Sequence, residues 1–167
     1  VSSADVRGLT ERMLTDLRGD DAEGLATLLA SVVGPDAPRR HLLCPLLGEL
    51  VSMVAHDLRE RAEDGDDVDD ALGVDDALGV DGTVGGAAGA GTFTAELVDD
   101  EDEPFDIDDL DPAVRAVLRA VLAELNDDPG DVRFHLGLIG ADPEPLARLD
   151  AVWHVLLWAS MLDEGAA

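Results

Sequence analysis

The sequence predicts a mainly α-helical protein: two small helical units of about three helices each, with a short β-hairpin leading into the second. Apolar residues recur at three- and four-residue steps on both sides of a polar middle stretch. Asp, Ser and Pro stand where helices start, and Gly where they stop. Strict alternation, the period of a half-buried strand, is confined to a short stretch near Phe93–Ile107. With 46% apolar residues, the chain has enough hydrophobic surface to build a core despite its charge.

Val6, Leu9, Met13 and Leu17 form one stripe of a first helix that ends at Gly19. A second helix starts at Asp20 or Asp21, whose carboxylate can accept orphan backbone N–H groups, and buries Leu25, Leu28, Leu29 and Val32. After the break Gly34–Pro38, Asp36 is a candidate cap for a third helix. That helix carries Leu42, Leu43, Leu46, Leu47, Leu50, Val51 and Val54, with Pro45 expected to kink it or delay its start. In the second half, Asp111-Pro112 opens a helix through Val114, Val117, Leu118, Val121, Leu122 and Leu125. Asp131 is read as the cap of a short helix through Val132, Leu136 and Ile139, stopped by Gly140. Asp142-Pro143-Glu144-Pro145 starts the last helix, apolar almost all round from Leu146 to Met161. The halves resemble each other in outline, each placing an Asp-Asp pair, a Gly and a Pro ahead of a nearly all-apolar helix.

These signals divide the chain into a helical unit at 1–63, an acidic Gly/Ala/Asp-rich flexible linker at 64–91, and a hairpin plus helical unit at 92–167. The linker contains a tandem repeat, Val-Asp-Asp-Ala-Leu-Gly, at 68–73 and 74–79. Its unit is far shorter than those of solenoid folds. In the hairpin, Phe93, Ala95 and Leu97 alternate along one strand, and Phe105 and Ile107 along the other.

The formal charge is −27, from 38 acids against 11 basic residues, all arginine. Residues 64–111 hold 18 of the acids and no base. Such a chain opposes a phosphate backbone, so direct nucleic-acid binding and binding to anionic membranes are not expected. The first residues carry neither a basic stretch nor an apolar run, and the expected location is the cytoplasm. The absence of Lys, Gln and Tyr tracks their AT-rich codons, so it reflects coding bias more than surface chemistry.

No residue pattern here points to catalysis. Cys44, the single cysteine, has no partner for an internal disulfide. With His41 one turn away it could contribute to a metal site completed by His56, His135 or His154, but no paired His or Cys motif accompanies it. The acids at 64–70 do not meet the EF-hand pattern. The glycines at 85–91 lack the Lys-Ser/Thr of a phosphate loop. No catalytic residue, cofactor or metal is therefore assigned. The candidate interaction surface is Trp153, Leu156, Leu157 and Trp158 on the last helix, since tryptophan anchors many interfaces, although a core role is the commoner use of such residues.

The expected function is that of a non-enzymatic interaction protein, an adaptor, assembly factor or regulator acting through a protein partner or a homodimer. One alternative is an acidic mimic of nucleic acid that occupies a basic protein groove. Another is a small enzyme gathering His135, His154 or the pair Asp127 and Asp128 in a pocket.

Overall fold

The computed structural model describes residues 2–64, 80–85, 93–99 and 104–164, and the chain is mainly helical. Helix α1 (Ser3–Arg18) buries the stripe Val6, Leu9, Met13 and Leu14. Helix α2 (Ala22–Val33) begins under Asp21, whose carboxylate accepts the Gly24 N–H at 2.9 Å. Turns then lead to a 3-10 segment, Arg40–Leu42, and to α3 (Leu43–Asp64). Asp36 therefore caps no helix. Pro45 falls in the first turn of α3, where its missing N–H has no intrahelical acceptor to lose.

In the second half a 3-10 turn, Ile107–Asp109, precedes α4 (Pro112–Leu125), capped by Asp111 through the Ala113 N–H at 2.9 Å. Ile107, expected in a strand, lies in this turn. Helix α5 (Pro129–Ala141) begins under Asp128 and not Asp131: the Asp128 carboxylate accepts both the Gly130 and Asp131 N–H groups at 3.0 Å. Pro129 is suited to the first helical position. The helix also runs through Gly140 to Ala141. Helix α6 (Pro145–Glu164) completes the set.

The strands are β1 (Val80–Gly85), β2 (Thr94–Asp99) and β3 (Pro104–Phe105), antiparallel in the order β1-β2-β3. Val80 stands opposite Asp99, and Leu97 opposite Phe105. The β1 segment falls inside the stretch expected to be a flexible linker, and it pairs with β2 along its whole length. The rest of that stretch, 65–79 and 86–91, lies outside the described residues. Asn126 ties the approach to β2 onto the helices: its amide accepts from Phe93 N–H at 2.8 Å and donates to Phe93 O at 3.0 Å.

The helix pairs α1–α2 and α4–α5 turn the same corner. In the first, Gly19 N–H bonds Thr15 O at 2.9 Å and Asp21 N–H bonds Asp16 O at 2.9 Å, with Asp20 between them at φ 54°. In the second, Asn126 N–H bonds Leu122 O at 3.0 Å and Asp128 N–H bonds Ala123 O at 2.8 Å, with Asp127 at φ 56°. All counterparts are related by one constant sequence offset. It also relates buried residues: Val6 to Ala113, Met13 to Ala120, Leu25 to Val132 and Val32 to Ile139.

Helices α3 and α6 pack on each other, and each also packs on the first two helices of the other half. The arrangement is an approximate two-fold. One continuous core results, with Leu46, Leu50, Val54, Val117, Val121, Val152, Val155 and Leu156 fully buried. Two separate units do not describe this packing, because α3 and α6 bury their apolar circumference only by taking neighbours from both halves.

Candidate functional site

Helix α6 supplied the surface expected from sequence, and the fold spends most of it inside. Leu156 and Trp158 are buried, while Trp153 and Leu157 are half-buried. A helix apolar all round belongs at the centre, and α6 touches all five other described helices. His154 is buried beside Trp158, with Nδ1 2.7 Å from the Asp150 carbonyl. A carbonyl only accepts, so Nδ1 carries the proton. Its Nε2 is buried without a hydrogen-bond partner among the described residues.

Large apolar side chains are exposed on both α5 and α6: Leu146 and Met161 on α6 stand apart in sequence, whereas two on α5 share one face. Val132, Leu136 and Ile139 face the core, which turns Phe134 and Leu138 outward, 60% and 51% exposed. Four residues apart, they sit one above the other on the same helix face. Gly137 between them leaves open space where a Cβ would stand. The ring of Phe134 meets His135 edge-on at 5.2 Å.

Behind this face runs a groove of about 570 Å³, lined by Arg115 and Arg119 of α4 and by His135, Leu138 and Ile139 of α5. Asp108 of the preceding 3-10 turn closes one side. Its carboxylate accepts from Arg119 Nη2 at 2.5 Å and lies 3.6 Å from Arg115 Nη1, while its carbonyl accepts from Arg115 at 2.7 Å. Partial burial holds the His135 pKa below its ordinary value; Asp131 opposes this and Arg119 reinforces it. The imidazole is therefore neutral at pH 7 and presents an uncharged donor and acceptor next to Leu138.

The remaining residues singled out from sequence are dispersed. Asp127 pairs with Arg59 at 3.0 Å, and Asp128 is consumed as a cap. Neither reaches the groove that holds His135, and His154 is in the core. His41 is exposed, and His56 lies 3.6 Å from Glu60. Among the described residues, no group of three or more His, Cys, Asp or Glu side chains is placed to hold a metal ion. Cys44 is exposed on α3, its thiol donating to Leu136 O at 3.7 Å. Desolvation raises its pKa and Arg40 only partly offsets this, so the nucleophilic thiolate is disfavoured.

Phe134 and Leu138 were legible by exclusion: both are apolar and both fall off the stripe Val132, Leu136, Ile139. No described helix is long and apolar enough to cross a membrane. No family model, curated protein or solved structure matches the chain.

Proposed function

We propose that the protein is a non-enzymatic cytoplasmic interaction module, an adaptor or assembly factor, that docks a partner protein on the outer face of α5. The observation that carries this reading is the outward pair Phe134 and Leu138, set over a groove with a neutral imidazole and two arginines. Contiguous exposed apolar side chains mark interaction surfaces, and phenylalanine is enriched in the cores of interfaces. The partner that fits presents an apolar ridge flanked by hydrogen-bonding groups.

The acidic-mimic alternative draws less support, since the described acids near α4 are engaged locally. Asp106 accepts from the Asp108 N–H, Asp108 holds two arginines, and Asp111 caps α4. The enzymatic alternative needs His135 gathered with His154 or Asp127 and Asp128, which occupy three different places.

The test is affinity capture with the full chain at low and high salt, wild type against a Phe134→Ser/Leu138→Ser double variant. A partner retained at high salt by the wild type and lost by the variant, at unchanged thermal stability, supports the reading. A partner retained by the variant, or released from the wild type by salt alone, contradicts it.

A further inference from the structure

Asp16 is the one buried acid among the described residues, 8% exposed in the last turn of α1. Its Oδ2 is fully buried and has no hydrogen-bond partner among the described residues. Its Oδ1 lies 3.9 Å from Arg12 Nε, beyond hydrogen-bond reach, and the arginine itself stands mostly in solvent. An ionised carboxylate loses its hydration on burial and needs a partner to offset the loss. Position adds a second cost, since the C-terminal end of a helix carries partial negative charge.

The corner between α1 and α2 does not require an acid there. Asp16 O accepts from Asp21 N–H, and in the matching corner Ala123 O accepts from Asp128 N–H. Ala123 is as buried as Asp16, at 8% exposed, so the same turn closes over a methyl group in the second half. What the Asp16 carboxylate faces has to account for it.

It faces a second carboxylate across a glycine. A Cβ built on Gly24 would stand 3.0 Å from Asp16 Oδ2 and 2.6 Å from Asp21 Oδ2, so the two oxygens converge on one side of position 24. Asp21 holds the Gly24 N–H with Oδ1 and turns Oδ2 to this place. A side chain at position 24 would fill it, and the equivalent position in the second half is Asp131. Asp20 and Glu23 add exposed negative charge to the same corner.

We propose that Asp16 and Asp21 bind one hard divalent cation, Mg²⁺ or Ca²⁺, at the α1–α2 corner, with water completing its coordination shell. Carboxylate ligands select such ions over those that seek thiolate or imidazole. Mg²⁺ is commonly held by one or two carboxylates while keeping several waters, and Ca²⁺ takes carboxylate and water oxygens in a flexible shell. The ion supplies the charge that Asp16 Oδ2 lacks, and the negative end of α1 favours it. It ties the last turn of α1 to the first turn of α2, so the stability of this corner follows the concentration of the ion. No third His, Cys, Asp or Glu joins the pair among the described residues, which makes the site weak, with a Kd of about 1 mM.

Thermal unfolding of the full chain in EDTA, MgCl₂ and CaCl₂ at matched ionic strength tests this, wild type against Asp16→Ala and Asp16→Asn. With about 10 mM of either ion the wild-type midpoint should rise by about 4 °C over its value in EDTA. In EDTA, Asp16→Ala should unfold at the wild-type temperature or above it, because an unpaired buried carboxylate has been removed. Asp16→Asn keeps the shape without the charge, and both variants should lose the response to the ions. The acids at 64–111 are the same in all three proteins, so diffuse cation binding shifts them equally and the difference reports the site. Substoichiometric Mn²⁺ should broaden the Gly24 amide resonance of the wild type and spare it in Asp16→Ala. Equal stabilisation of wild type and Asp16→Ala by the ions, an Asp16→Ala protein less stable than wild type in EDTA, or a Gly24 resonance broadened alike in both overturns the proposal.

Discussion

Arg148 closes the end of α2 on the opposite half of the molecule, its Nε and Nη2 donating to the Val33 carbonyl at 2.9 and 2.6 Å. Arg40 returns the contact, donating from Nη2 to Gly140 O near the end of α5 at 2.7 Å. The approximate two-fold thus has a polar signature as well as an apolar one. Each half lends an arginine to carbonyls that the other half's helix end leaves without intrahelical donors.

The two contacts are unequal in burial, and their loss should be unequal too. Arg148 is 2% exposed and also donates to Asp142 O, whereas Arg40 is half-buried and leaves Nη1 without a partner among the described residues. Burial, and then the charge of Arg40, lower the Arg148 pKa, yet a guanidinium stays protonated. Arg148→Ala strands two carbonyls and should cost about 3 kcal/mol, against about 1 kcal/mol for Arg40→Ala. Chemical denaturation checks the order; equal losses would contradict it.

The matched corners give a second prediction. Asp20 and Asp127 both hold positive φ, where glycine relieves the strain of a Cβ. Asp20→Gly should stabilise by about 0.5 kcal/mol. Asp127→Gly should be near neutral, since it also loses the Arg59 pair. Asp21→Ala and Asp128→Ala, which remove helix caps, should each cost about 1 kcal/mol. Thermal unfolding of the four variants reads these differences.

Much of this helical framework was legible because its signals are local. Asp21, Asp111 and Gly19 act where a one-dimensional reading put them. The start of α5 was misplaced since Asp128-Pro129 and Asp131 both suit a cap, and only the backbone bonds choose. The single core was not legible: an all-apolar helix such as α6 reads the same whether its faces are covered by its own half, by the other half or by a partner. Trp158 and Leu156, read as a candidate interaction surface with a core role as the commoner use, are buried in this core. The arginine exchange was invisible for a related reason, as its acceptors are backbone carbonyls far along the chain.

Gly140 makes a sharper local test. A Cβ added there would stand 2.5 Å from Cys44 Sγ, closer than packed atoms approach. Gly140→Ala should destabilise by about 1 kcal/mol, since the exposed thiol has to turn away from Leu136 O, and Cys44→Ala in the same chain should recover most of that loss. Additive losses in a double-mutant cycle would show that the two positions do not touch.

His135 gives the pH dependence. Its folded pKa lies below the ordinary histidine value, chiefly through burial, so the unfolded chain binds the proton more readily. Its contribution is intact above the unfolded pKa of about 6.5 and is lost as pH falls from there toward the lower folded value. His135→Gln should reduce the stability difference between about pH 7.5 and about pH 5.5. An unchanged difference in denaturation midpoints would mean that the imidazole is not desolvated.

The central claim is that the outer face of α5 is where a partner sits, and site-specific photocrosslinking reads it most directly. A photoreactive side chain at Leu138, exposed beside Phe134, should yield one discrete adduct in cells. The same group at Glu60, exposed on α3, should yield none. Adducts of the same size from both positions, or none from Leu138, would contradict the account.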